Sequence, residues 1–588
     1  MVDLDRRQFM LGASVALAAP AIARAATSGG ARISVADYGA RPDGITDATG
    51  AIRAAIAACA LDGGVLHFPG GTYLCKNTSS SPFIAFSGLS NFTVDGGGSS
   101  LMFEGDATGL AFSQMRRIEL RDLTIDWSRP AFSQAVVIPG SFDGNAVDLD
   151  VAPEFPVTGT ELIRAVYFYD RATGAPATSR SANHRLQVPA NVQLVGPQRL
   201  RLEFAEPFHD AGDVVVLLHG RGYFGLLIEK SQDIALANVR IYAAPGMGIS
   251  GGRVTNVAID RCQVVPRPGS GRLMSSGADG LHFWDSSGSF SITRCDFAGT
   301  GDDCINIHSF FLEAKVDPGS TALEFSPANQ INGHPRAVED SVLPTAGEEL
   351  EIVAPITLVP EATGAVATMD LSGGPRRATL QSPLDLPPGD EVLVDDLNRT
   401  PSHLAIQSCT FRAGVGRAII THAQTTISGN KFSDMAAVAI KCGVNPTWLE
   451  GPLVSNVFIE NNDFTRCGLI SGGSVWAYTL RVDGKQSREG DVIEFDNLRI
   501  AGNNFVDPYS IPIIVGETRN FAILNNVFTA SDDDPNPHPA KISIRLDRVG
   551  AGTIAGNSCP GGDQLVSIDA VSTQVQLGSN PGFTVHHR

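Results

Sequence analysis

Two short segments gather most of the residues able to move a proton. Gly277-Ala278-Asp279-Gly280-Leu281-His282-Phe283-Trp284 is followed by Thr300-Gly301-Asp302-Asp303-Cys304-Ile305-Asn306-Ile307-His308, so that Asp302 comes 23 residues after Asp279. If these are successive turns of one coil, aligning Gly280-Leu281-His282 with Cys304-Ile305-Asn306 stacks Asp279 on Asp303 about 5 Å apart, with Asp302 beside them. Three carboxyls packed that closely repel, and at least one keeps a proton near neutrality while another stays ionised. A proton donor beside a proton acceptor is what cleavage of a glycosidic bond requires. The same Gly-Asp-Asp triplet also suits a solvated turn or calcium ligation. The stacked Asp279 and the nearby His and aromatic residues favour catalysis.

On this alignment His282 and Asn306 share an outward column, and Lys441 falls at the matching position of a later coil. His308 and Arg417 lie close to them. Each is a substrate contact or a solvated polar residue of the sheet face. Trp284, Trp448, Trp476 and Tyr478 offer flat surface on which a sugar ring stacks, although burial is the commoner fate of an aromatic side chain. The candidate site is thus catalytic Asp279, Asp302 and Asp303, with Trp284, His282, Asn306, His308, Arg417 and Lys441 contacting substrate. No Cys-x-x-Cys pair suggests zinc or redox work, and neither metal nor cofactor is expected.

What must hold these residues in register is a repeat. The pattern apolar-x-Ile/Leu-x-x-Asn/Cys-x-apolar occurs with Asn430, Asn462, Asn503 and Asn526 downstream and with Cys262, Cys295 and Cys409 upstream. Its copies start 21 to 41 residues apart where no insertion intervenes. Alternating apolar positions broken by a turn and resumed are what a parallel β-helix needs, because each rung buries its inward face only against the next. An inward Asn at a bend bonds its neighbours on the rungs above and below, satisfying a buried amide that would otherwise be costly. Three of the nine Cys occupy that same column, which makes them buried fillers rather than a disulfide framework. A leucine-rich horseshoe is excluded by the absent helical half.

The predicted architecture is all-β: a right-handed parallel β-helix of about ten or more coils, an N-terminal capping helix and two inserted small β-barrel or sandwich domains. Thr46-Asp47 caps an Ala-rich helix over 48–60. The cap and first coils span 26–127 and the first insertion 128–222. Coils with the acids run over 223–311, the second insertion over 312–401 and the last coils over 402–588. Segment 1–25 carries Arg6-Arg7, a short apolar run and Ala23-Arg24-Ala25, the marks of a bacterial twin-arginine export signal cut before Ala26. A soluble periplasmic or secreted protein follows, without membrane insertion, acting alone or as a homodimer. The net charge of −18, about −19 after cleavage, opposes nucleic-acid binding and favours neutral partners.

Asp-Gly-x-His followed by Gly-Asp-Asp, on a β-helix carrying two β-insertions, resembles glycoside hydrolase family 110, the α-1,3-galactosidases, within the pectin-lyase-like superfamily. More distantly it is similar to the family 28 polygalacturonases. Their Asn-Thr-Asp, Gly-Asp-Asp, Gly-His-Gly and Arg-Ile-Lys motifs correspond here to Gly277-Ala278-Asp279, Gly301-Asp302-Asp303, Gly414-Val415-Gly416 and Ala439-Ile440-Lys441. The missing His and Arg argue against an anionic uronate. The resemblance implies removal of terminal α-1,3-linked galactose from neutral oligo- or polysaccharides with inversion, Asp302 serving as acid and Asp279 with Asp303 activating water. A polygalacturonase-like hydrolase, a β-helix polysaccharide lyase and a non-catalytic glycan-binding adhesin are the alternatives.

Overall fold

The computed structural model describes residues 31–588 except 178–187, 206–212, 332, 356–357, 359, 373–374, 446, 453–454, 470–473, 478–494, 532–540 and 561. The proposed export signal and Tyr478 therefore lie outside the described residues. Among the described residues, a 24-stranded sheet and a 14-stranded sheet stack parallel strands coil upon coil. The chain advances one rung per turn, with the right-handed crossover that parallel strands of L-residues adopt. A 3-10 turn over Val35–Tyr38 and a helix over Thr49–Ala57 close the N-terminal end, Asp47 accepting the Thr49 N–H. No helix among these residues is long and apolar enough to cross a membrane.

The alternation read from the sequence becomes two inward ladders. Asn430, Asn462, Asn503, Asn526 and Asn557 each give an Nδ2 hydrogen to the Oδ1 of the next amide, at 2.9–3.0 Å, and another to an isoleucine carbonyl of the preceding coil. Cysteine fills the same column upstream, the Cys409 sulfur accepting the Cys295 N–H at 3.4 Å. All nine cysteines are free. Two residues further on, Phe297, Phe411, Phe432, Phe464, Phe505 and Phe528 stack with centroids 4.7–5.4 Å apart. One buried apolar core runs the length of the coil.

The main-sheet strand Arg116–Trp127 ends where the first insertion begins, and the coil resumes at Leu226–Glu229. The described residues of this insertion form an open six-stranded antiparallel sheet rather than a barrel or a two-sheet sandwich. It needs no second sheet, because Ala243, Met274 and Val415 of the β-helix join its buried core. The second insertion starts at Leu312–Val316 and ends at Glu391–Asp396 before the coil returns at Pro401–Gln407. It is a closed six-stranded barrel with its own core.

Candidate functional site

The strands Leu281–Trp284 and Ile305–Phe310 pair in parallel with His282 opposite Asn306 and Trp284 opposite His308. The next two coils continue the first column with Ile420 and Lys441, and Trp476 follows. The acids sit just before these strands, where the Gly280 N–H bonds the Asp303 carbonyl. Backbones approach closely here because glycines allow it: a Cβ on Gly416 would lie 2.3 Å from the Asp302 carbonyl carbon. The first insertion braces the same turn, Tyr167 donating its hydroxyl hydrogen to the Gly301 carbonyl at 3.0 Å.

One carboxylate oxygen from each of Asp279, Asp302 and Asp303 lies within 4.8 Å of the other two. Their surroundings differ. Asp303 is buried and accepts the Arg417 backbone N–H, Nε and Nη2, each at 2.8 Å. Burial opposes the charge of Arg417, yet Asp303 holds its guanidinium above the ordinary value. Asp302 is the most open of the three, its side chain 34% exposed, and its Oδ2 accepts Arg221 Nη2 at 2.9 Å. Asp279 is buried, and that desolvation, only partly offset by His282 and reinforced by the other two acids, pushes its carboxyl up to about 6. The three acids are also the one group among the described residues spaced to hold a cation, but Arg221 and Arg417 already bring positive charge to two of them.

Hydrogen-bond direction fixes the protons behind Asp279. His308 Nδ1 lies 3.0 Å from the Ser309 carbonyl, which only accepts, so Nδ1 carries the hydrogen. Burial holds His308 down to about 4, so the ring is neutral and its Nε2 is an acceptor. His282 Nε2, 3.1 Å away, must therefore donate. His282 Nδ1 and Asp279 Oδ2, 2.6 Å apart, then share a single proton. Burial disfavours charge on His282, but its bond to Asp279 outweighs this and raises its proton affinity. Both ring nitrogens of His282 and of His308 are thus engaged within the protein.

Asn306 is buried, gives Nδ2 to Glu450 Oε1 at 3.4 Å, and leaves Oδ1 without a partner among the described residues. Lys441 Nζ reaches the Val444 carbonyl at 3.5 Å, and Trp448 lies exposed on the loop that carries Glu450. Trp284 packs beside His282, ring centroids 6.0 Å apart. The expected residues are therefore brought to one face, with Lys441 two coils beyond Asn306. Arg221 and Glu450 were absent from the sequence reading. Arg221 ends the first insertion inside His219-Gly220-Arg221-Gly222-Tyr223, where glycines around one cation at a coil junction were the available signal. Glu450 carried none, since only the loop's fold swings it over Asn306.

Residues 32–88 match a family model described as rhamnogalacturonase A/epimerase, pectate lyase-like. The chain is 24% identical over 600 residues to alpha-1,3-galactosidase B of Bacteroides thetaiotaomicron, covering 94% of this chain and 95% of that protein. It is 28% identical over 499 residues to alpha-1,3-galactosidase A of Streptomyces avermitilis, covering 74% and 78%. Among solved structures, a family 28 exopolygalacturonase of Yersinia enterocolitica superposes with a TM-score of 0.40 at 13% identity, covering 95% of this chain and 77% of that one.

Proposed function

We propose that this chain, a relative of the alpha-1,3-galactosidases along nearly its whole length, is an exported glycoside hydrolase that removes terminal α-1,3-linked galactose from neutral glycans. The observation that carries the reading is the acid cluster: three carboxylates within 4.8 Å, two held by separate arginines and the third sharing a proton with a buried histidine. In this reading Asp302, the most open of the three, protonates the leaving oxygen, and Arg221 stabilises the carboxylate left behind. Asp279 and Asp303 orient and deprotonate the attacking water, giving inversion. Asn306 Oδ1 accepts a sugar hydroxyl, and Lys441 and Glu450 border the same sugar. The twin-arginine segment directs the protein to the periplasm or beyond.

A second reading, retention, is favoured by one observation. One oxygen of each acid lies within 4.8 Å of the others, nearer the roughly 5 Å between the carboxyl groups of retaining pairs than the roughly 6.5–9.5 Å usual for inversion. Incubation with α-1,3-galactobiose, a branched blood-group B oligosaccharide, polygalacturonate and alginate, followed by NMR, tests both. β-Galactose as first product supports inversion and α-galactose supports retention. Unsaturated uronates refute the hydrolase reading in favour of a lyase. Glycan binding without turnover, unaltered in Asp302→Asn, refutes it in favour of an adhesin.

A further inference from the structure

The second insertion walls a cavity of about 400 Å³ against the β-helix. Trp284, Phe310 and Arg253 line it from the coil, and Arg336, Glu339 and Ser341 from the insertion. His282 and Trp284 alternate on one strand and face the same way, so the indole stands 6.0 Å, centroid to centroid, from the histidine bonded to Asp279. The ring is held from behind. A Cβ on Gly252 would lie 2.3 Å from Trp284 Cε2, so only glycine lets the indole rest against the neighbouring coil. Beside it, Arg253 Nη2 is buried yet has no hydrogen-bond partner among the described residues. A buried N–H donor left without an acceptor is costly unless something arrives to supply one.

An aromatic face, a donor awaiting an oxygen and a polar far wall are the requirements of a bound pyranose. The geometry points to a second saccharide subsite here, in which a pyranose of the leaving glycan, beyond the sugar that carries the terminal galactose, stacks on Trp284 and presents an oxygen to Arg253 Nη2. The subsite rests on the glycosidase reading and deepens it. The enzyme reads sugars past the bond it cuts, and the inserted barrel encloses one of them.

The test titrates the Asp302→Asn protein calorimetrically with α-1,3-galactobiose and with that disaccharide extended by two sugars at its reducing end. The longer glycan is expected to bind about tenfold tighter, the worth of one aromatic stack with its hydrogen bond. Adding Trp284→Ala, or Ser341→Trp to fill the cavity from the insertion side, brings the ratio of affinities to about one. Equal affinities in the parent, or an advantage that survives both substitutions, overturn the subsite. Wild-type protein that releases galactose with the same KM from both glycans overturns the subsite alone, whereas release from neither overturns the glycosidase reading.

Discussion

The proton shared by Asp279 and His282 is held in place by His308, whose hydrogen bonds run to His282 and the Ser309 carbonyl and to none of the three aspartates. If the chain from the Ser309 carbonyl through His308 and His282 sets that proton, His308→Phe should ease its loss. In the wild type, losing it leaves two poor choices. Either the bare Nδ1 lone pair of His282 faces the Asp279 carboxylate at 2.6 Å, or the ring changes tautomer and two Nε2 lone pairs face each other at 3.1 Å. Phenylalanine removes the second penalty, because His282 can then keep only its Nδ1 hydrogen on Asp279 and give up the other. The protonated ring also loses a charge-assisted hydrogen bond, a contribution of about 1.5–3 kcal/mol. At 1.36 kcal/mol per pH unit, titration of the pair falls by about 1 to 2 units. The assay is the ring ¹⁵N and ¹H resonance of selectively labelled His282 across pH, with kcat/KM measured alongside. Loss of the proton adds a negative charge inside the acid cluster, so the alkaline limb of the rate profile moves down with the resonance. His308→Gln, whose carbonyl can still accept, shifts both by less. An unmoved or upward-shifted titration in a His308→Phe protein of native melting temperature refutes the tautomer assignment.

Three further predictions follow from the fold. Gly416→Ala forces the coil away from the Asp302–Asp303 peptide, whose carbonyl carbon a new Cβ would approach to 2.3 Å; kcat should fall at least tenfold while circular dichroism stays unchanged. Asn503→Ala strips an acceptor from the Asn462 N–H and Nδ2 and a donor from the Ile459 carbonyl and Asn526 Oδ1. At about 1–3 kcal/mol for each buried group left unsatisfied, relaxation included, the cost is on the order of 4 kcal/mol, read as a lowered melting temperature. Asp395, buried in the second insertion with Oδ1 on the Ser309 hydroxyl and Oδ2 without a partner among the described residues, is pushed by burial up to about 8. Its folded state holds a proton that the unfolded chain has already released, so stability declines as pH rises from the ordinary carboxylate range through 8. Asp395→Asn should flatten that decline in thermal melts between pH 5 and 9, and an unchanged slope would contradict it.

The sequence alone determined the coil. Parallel rungs impose one inward pattern on every turn, so the Asn and Cys column, the stacked Phe and the alignment of Asp279 with Asp303 all follow from local spacing. The same regularity made the main acids and the column of His282, Asn306 and Lys441 legible, because neighbours across a rung differ by one repeat. What tertiary structure alone decided lies where the repeat is interrupted. Arg221 and Tyr167 reach the Gly-Asp-Asp turn from the first insertion, which is an open sheet because the coil itself supplies the rest of its core. Glu450 arrives on a loop, and the second insertion meets the coil at Trp284 and Arg253. Proton placement was equally invisible, since whether His282 binds sugar or holds the proton of Asp279 depends on His308 and one backbone carbonyl. Local periodicity fixes which residues stack, but the partners of a buried charge come from segments distant in the chain, and no spacing encodes where those segments close.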